Sequence, residues 1–204
     1  MASDSDKPVE LVAVDRMMLR TLELEGLICF RCPLLDRRPG GAFDTGECRL
    51  KARDLLPVVS DERSGILAAV SNRQVVGYAV FGRPELFPRL KQLPFEAADD
   101  ALLIAALYAV PEARERNVEA DLLVRVMDFA RENGFEKVQA LCRAEPDNEP
   151  EARAELLSDA GFELTGEAAG LCMAETTLER WDQPEHEDSD EHQPGTAPDW
   201  TQSN

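Results

Sequence analysis

No apolar run in the chain approaches the roughly 20 residues that span a bilayer. Its first residues, MASDSDKPVE, are polar and acidic where a secretory signal would be basic and then apolar. Both features lead us to expect no membrane partner and a cytoplasmic protein. Histidine is scarce: the two present, His186 and His192, fall in the final segment. Cysteines number five, at 29, 32, 48, 142 and 172, an odd set that argues against a disulfide framework. Cys29 and Cys32 form a C-x-x-C pair, and Cys48 makes three thiols where structural zinc usually takes four ligands, so no metal is expected. Positive charge is in deficit, with 22 Lys and Arg against 40 Asp and Glu, a net of −18. Residues 181–204 hold seven of those acids and no base, which leaves residues 1–180 at 33 acids against 22 bases. Such a body repels a polyphosphate backbone, which excludes nucleic acid and suits a small-molecule amine or a basic peptide.

What is present is a core-forming chain. An apolar fraction of 44% over 204 residues supports one domain over 1–180, followed by an acidic tail over 181–204 that is too polar to fold. Pro8 to Asp15 predicts a first strand, and Leu19, Leu22, Leu24 and Leu27 a helix that ends before Pro33. A turn-rich loop from Asp36 to Gly46 and a short helix from Arg49 to Leu56 follow. GILAAVS and QVVGYAVFG, separated by Asn72 and Arg73, predict an antiparallel hairpin. RPELFPRLKQLPF, broken by three prolines, reads as a loop of the kind that covers a site. Ala101 to Val110 is apolar on both faces of the strand period and predicts a buried central strand. The stripe Val118, Leu122, Val126 and Ala130 predicts a helix that Gly134 terminates. EKVQALCR predicts a strand, PEARAELLSDAGF a second helix, and FELTG with LCMAETTLE a closing hairpin. The order predicts an α/β (α+β) domain: a mostly antiparallel central sheet flanked by helices.

An amphipathic helix that follows a buried strand by a tight loop presents open N–H groups and a partial positive charge, a setting for an anion. The stretch VPEARERNVEADLL provides it, with Arg114 and Arg116 as bidentate donors beside the helix start. Here the chain resembles the GNAT superfamily of N-acetyltransferases, over about residues 8 to 178. The resemblance is carried by LYAVPEARERNVEADLL and by EARAELLSDAGFEL. CFRC, Phe87-Pro88 and DDALLIAALYAVPE resemble a bacterial branch of it.

The resemblance implies a GNAT-like fold and acetyl-CoA as co-substrate, with an acetyl group passed to an amine. It also implies that the strand at 102–110 splays from that at 136–143 to admit the pantetheine arm. The pyrophosphate loop, of pattern Q/R-x-x-G-x-G/A, falls on Arg114 to Glu119, which makes Arg114, Arg116, Asn117 and Val118 the coenzyme contacts and Tyr108, Ala109 and Val110 the lining of the thioester. Backbone N–H groups around Ala109 and Val110 would polarise its carbonyl. Both small positions depart. Asn117 tolerates a left-handed backbone and caps helices, but Glu119 brings bulk and like charge. Aimed at a phosphate about 4 Å away, it would cost on the order of 1–4 kcal/mol, roughly ten- to a thousandfold in affinity. Turned away, it would complement the helix dipole. The tyrosine that relatives use as acid corresponds to Leu157. Tyr108 is therefore the candidate acid, and Glu145, Asp99 and Asp100 are candidate bases. Two functions compete: an acyl-CoA-dependent N-acetyltransferase, and a non-catalytic GNAT-like module with a vestigial coenzyme site.

Overall fold

The structure, a computed structural model, describes residues 8–24, 32, 34–35, 52–143, 151–168 and 170–181. Among the described residues eight strands and six α-helices follow one another in the order β1 (Glu10–Ala13), α1 (Arg16–Leu24), α2 (Ala52–Ser60), β2 (Gly65–Ser71), β3 (Gln74–Gly82), β4 (Leu102–Ala109), α3 (Pro111–Arg114), α4 (Val118–Glu132), β5 (Lys137–Arg143), β6 (Ala152–Arg153), α5 (Ala154–Asp159), β7 (Glu163–Ala168), β8 (Leu171–Thr177) and α6 (Leu178–Trp181). They form a single sheet of order β1-β2-β3-β4-β5-β8-β7, with β6 on the side of β5. The pairs β4–β5 and β5–β6 are parallel and the others antiparallel. This is the mostly antiparallel α/β architecture expected from the element order.

Each sheet face buries its own apolar set. Leu19 and Leu22 of α1, Leu55 and Val58 of α2, and Phe87 and Leu90 cover one face. Leu122, Val126 and Met127 of α4, Leu157 of α5 and Leu178 of α6 cover the other. The β2–β3 hairpin turns on Asn72 and Arg73 at φ 53° and 64°, the doubly left-handed geometry that matches strand twist. Helix α4 stops where Gly134 takes φ 68° and Phe135 N–H donates to the Ala130 carbonyl, as a C-terminal cap requires.

Several local expectations shift. Helix α2 begins at Ala52 and runs through Pro57 to Ser60, because full burial of Leu55 and Val58 outweighs one missing backbone bond. The proline-rich segment after β3 folds into two 3₁₀ turns, Pro84–Leu86 and Leu90–Gln92. Strand β6 and the short helices α3 and α6 were not foreseen; at two to four residues they are too brief for a periodic signal. The Asp36–Gly46 loop, Cys29, Cys48, Glu145 and residues 182–204 lie outside the described residues.

The centre of the sheet carries two irregularities that shape the site. Val80 pairs with Ala106 and Phe81 with Ile104, so Ala105 is an extra residue in β4, a β-bulge. Its carbonyl accepts a bond from the buried Cys32 thiol at 3.7 Å. Pairing of β4 with β5 runs through Leu102–Val138, Leu103–Gln139 and Ile104–Ala140 and goes no further. From the bulge onward β4 parts from β5, whose freed edge pairs with β6 through Cys142–Ala152 and Arg143–Arg153.

Candidate functional site

The splay and the helix start meet at the C-terminal end of β4. Val110, in extended backbone, leads through α3 to Asn117, which takes φ 58° and ψ 23° and so supplies the left-handed bend that glycine would otherwise provide. Asn117 acts through its backbone alone: its side chain makes no cap bond at the start of α4. Val118 points inward, only 1% exposed, against Gly77, where an added Cβ would stand 3.1 Å from Val118 Cγ1 and 2.9 Å from the Tyr108 carbonyl oxygen. Gly77 thereby lets β3 approach the loop.

Glu119 decides the character of the place. It is buried, in the first turn of α4, and its carboxylate lies between the parted strands. Oε1 accepts from the Ala109 backbone N–H at 3.1 Å and from Arg114 Nε at 3.1 Å. Oε2 accepts from Arg153 Nε at 2.9 Å. Arg153 sits on β6 at the edge of β5, so the carboxylate ties β4, α4 and β6 together across the opening. Of the two alternatives for this residue, turning away to complement a dipole and intruding on the anion site, the side chain takes the inward one.

The consequences for the expected residues follow. Arg114 is engaged by Glu119 and lies over the Tyr108 ring, 5.5 Å from its centroid. The Ala109 N–H is held by Glu119, and the Val110 N–H donates to the Val76 carbonyl at 2.9 Å. Neither is therefore directed at a thioester carbonyl. Tyr108 is half-buried and tilted against Tyr78, with ring centroids 5.5 Å apart. Arg116 is half-buried in the loop between α3 and α4. Leu157 is fully buried in the apolar cluster on the α4 side of the sheet, so that position serves the core. Asp99 and Asp100 are exposed at the opposite end of β4. Among the described residues no group of His, Cys, Asp or Glu could hold a metal ion. As arranged, these residues fit a coenzyme pyrophosphate poorly: a buried carboxylate already accepts from Arg114 Nε and the Ala109 N–H, two of the donors expected at the coenzyme site. Sequence reasoning missed Arg153. A lone arginine ahead of a helix carries no signal of its own; the buried acid it serves was the clue.

The sequence matches no protein-family model and no curated protein. Its fold, however, resembles solved structures. An N-acetyltransferase from Staphylococcus aureus Mu50 superposes with a TM-score of 0.54 at 17% identity, covering 84% of this chain and 99% of that one. A ribosomal-protein-alanine N-acetyltransferase from Brucella melitensis does so at 0.53 and 19%, covering 82% and 99%. A putative acetyltransferase from Salmonella typhimurium, solved with its cofactor acetyl-CoA, gives 0.54 and 16%, covering 83% and 94%.

Proposed function

We propose that this chain, which has the fold of the GNAT N-acetyltransferases, is a binding module of that fold whose acyl-coenzyme slot is closed from within. The single observation that carries this reading is the buried Glu119 carboxylate, satisfied by Arg114, Arg153 and the Ala109 N–H. In a water-poor cleft a carboxylate is an internal anion: it neutralises one of the two guanidinium charges beside it and takes the Ala109 N–H, so a second anion seated there would meet like charge and compete for donors already engaged. The acidic surface suits amines or basic peptides as ligands.

A second reading has specific support. Strand β4 does part from β5 after Ile104, and Asn117 keeps the left-handed bend of a phosphate loop. On this reading the protein is an acyl-CoA-dependent N-acetyltransferase that acts on an unidentified amine. Glu119 swings out on binding, Arg114, Arg116, Asn117 and Val118 hold acetyl-CoA, and Tyr108, Ala109 and Val110 line the thioester, with Tyr108 and Glu145 as proton carriers.

Thermal melts with millimolar acetyl-CoA separate the two. The closed-slot reading expects no shift for the wild type and a positive shift for Glu119→Gly, in which the donors are released. A clear rise in the wild-type melting temperature, with thiol release from acetyl-CoA in the presence of amines, would establish the transferase instead.

A further inference from the structure

Glu151, Ala152 and Arg153 follow one another at the opening between β4 and β5, and each is tied to a different part of the molecule. The Glu151 side chain is fully buried and pairs with Arg143 of β5, Oε2 to Nε at 3.4 Å. Ala152, 1% exposed, enters the apolar cluster on the α4 side of the sheet. Arg153 donates from Nε to Glu119 Oε2 of α4 at 2.9 Å.

The segment contains β6, two residues long and parallel to β5, paired through Cys142–Ala152 and Arg143–Arg153. That is the part of the β5 edge just past Ala140, the last residue there to meet β4. Strand β6 is a neighbour of β4 as well. The molecule thus lays its own backbone into the place where the two strands part.

Two parallel bridges are a weak hold. Parallel pairing is the less stable kind per residue, and so short a strand orders its backbone for few hydrogen bonds. Downstream, β6 runs directly into α5, whose Leu157 is fully buried, so that end is anchored in the core. The Arg153–Glu119 bond is different in kind. It is charge-assisted, its acceptor side chain is 3% exposed, and it joins the segment to α4 across the opening. Neither the bridges to β5 nor the Glu151–Arg143 pair reaches that far side.

We propose that Glu151–Arg153 is a strap over the coenzyme slot and Glu119 its clasp: while the carboxylate holds Arg153, β6 stays on the β5 edge, and a ligand entering between β4 and β5 displaces both. The proposal rests on the closed-slot reading and adds a second moving part to it. Release of the clasp frees the strap, which then pivots where it joins α5 and bares the β5 edge.

The test is amide hydrogen exchange across Glu151–Ala154, read against β8, which pairs with the opposite edge of β5. Arg153→Met keeps an aliphatic stem and removes the charge, whereas Glu119→Gly removes the clasp and leaves the strap sequence intact. In each, the strap amides should exchange at least roughly tenfold faster than in the wild type. Protected β8 amides verify that the variants are folded. Strap exchange at the wild-type rate in either variant overturns the proposal. Acetyl-CoA at millimolar concentration is then added to Glu119→Gly, with binding read as a rise in melting temperature. Strap amides that exchange faster with the ligand bound support displacement. Binding with the strap amides unchanged or slower overturns the strap and leaves the closed-slot reading standing. Absence of binding removes that reading, and the strap falls with it.

Discussion

Replacing Glu119 by glycine tests the internal anion directly. The substitution removes a carboxylate whose side chain is 3% exposed and strands Arg114 and Arg153, with side chains 18% and 28% exposed. It also orphans the Ala109 N–H in the buried splay. Breaking a buried ion pair from one side costs about 3–5 kcal/mol. Both guanidinium groups can turn partly to water, which favours the low end, about 3 kcal/mol. Glycine in the first turn of α4 adds about 0.5 kcal/mol or slightly more. The sum, about 3–4 kcal/mol, is roughly a 10 °C fall in melting temperature for a domain of this size. Glu119→Gln keeps an acceptor for the Ala109 N–H and should lose about half as much. Chemical and thermal denaturation of the three proteins measures it. If Glu119→Gly melts within a degree or two of the wild type, the carboxylate does not hold the strands together, and the closed-slot argument falls with it.

Other expectations are smaller. Asn117→Gly should be neutral to slightly stabilising, whereas Asn117→Val, with a β-branched side chain at φ 58°, should lose about 1–2 kcal/mol in urea unfolding; equal effects would show that the bend does not set the loop. Burial first, and Cys172 beside it, push the Cys142 thiol up to about 12. The folded state therefore holds a proton that the unfolded chain releases near 8.5. The stability contribution is complete below that pH and is lost as pH rises toward 12, by up to about 1.4 kcal/mol per unit. Unfolding at pH 8 and pH 10 should show a steeper alkaline loss for the wild type than for Cys142→Ala, and identical slopes would contradict it.

The layout of the sheet was legible because its strands and α4 announce themselves by period. Val118, Leu122, Val126 and Ala130 repeat at helical spacing, and the buried faces match that repeat. The Asn72-Arg73 turn was readable for the same reason: two short polar or charged residues between two apolar strands leave a tight hairpin as the connection. The site was legible only in part. The loop and its departures at 117 and 119 could be located, yet which way Glu119 turns depends on Arg153, 34 residues away, and on how β6 fills the edge that β4 leaves. Such a partnership is a tertiary fact with no local pattern. The segment after β3 read as a loop that covers a site; its two 3₁₀ turns and the contact of Phe95 with Gly166 of the closing hairpin depend on packing between distant parts of the chain.

The extra residue at Ala105 has a consequence for inheritance as much as for geometry. Ahead of it Leu103 and Ala105 face the α1–α2 layer; beyond it Ala106 and Tyr108 do, while Leu107 and Ala109 turn to α4. Strict alternation from Leu102 would have sent Tyr108 beneath α4, away from Tyr78. Which side chains this half-strand offers to the cleft is thus set by a one-residue change of phase. Loss of the single codon for Ala105 would remove the bulge yet leave Ala106 and Tyr108 on the face they occupy now, so this strand could gain or lose its kink in one step without exchanging the side chains it presents.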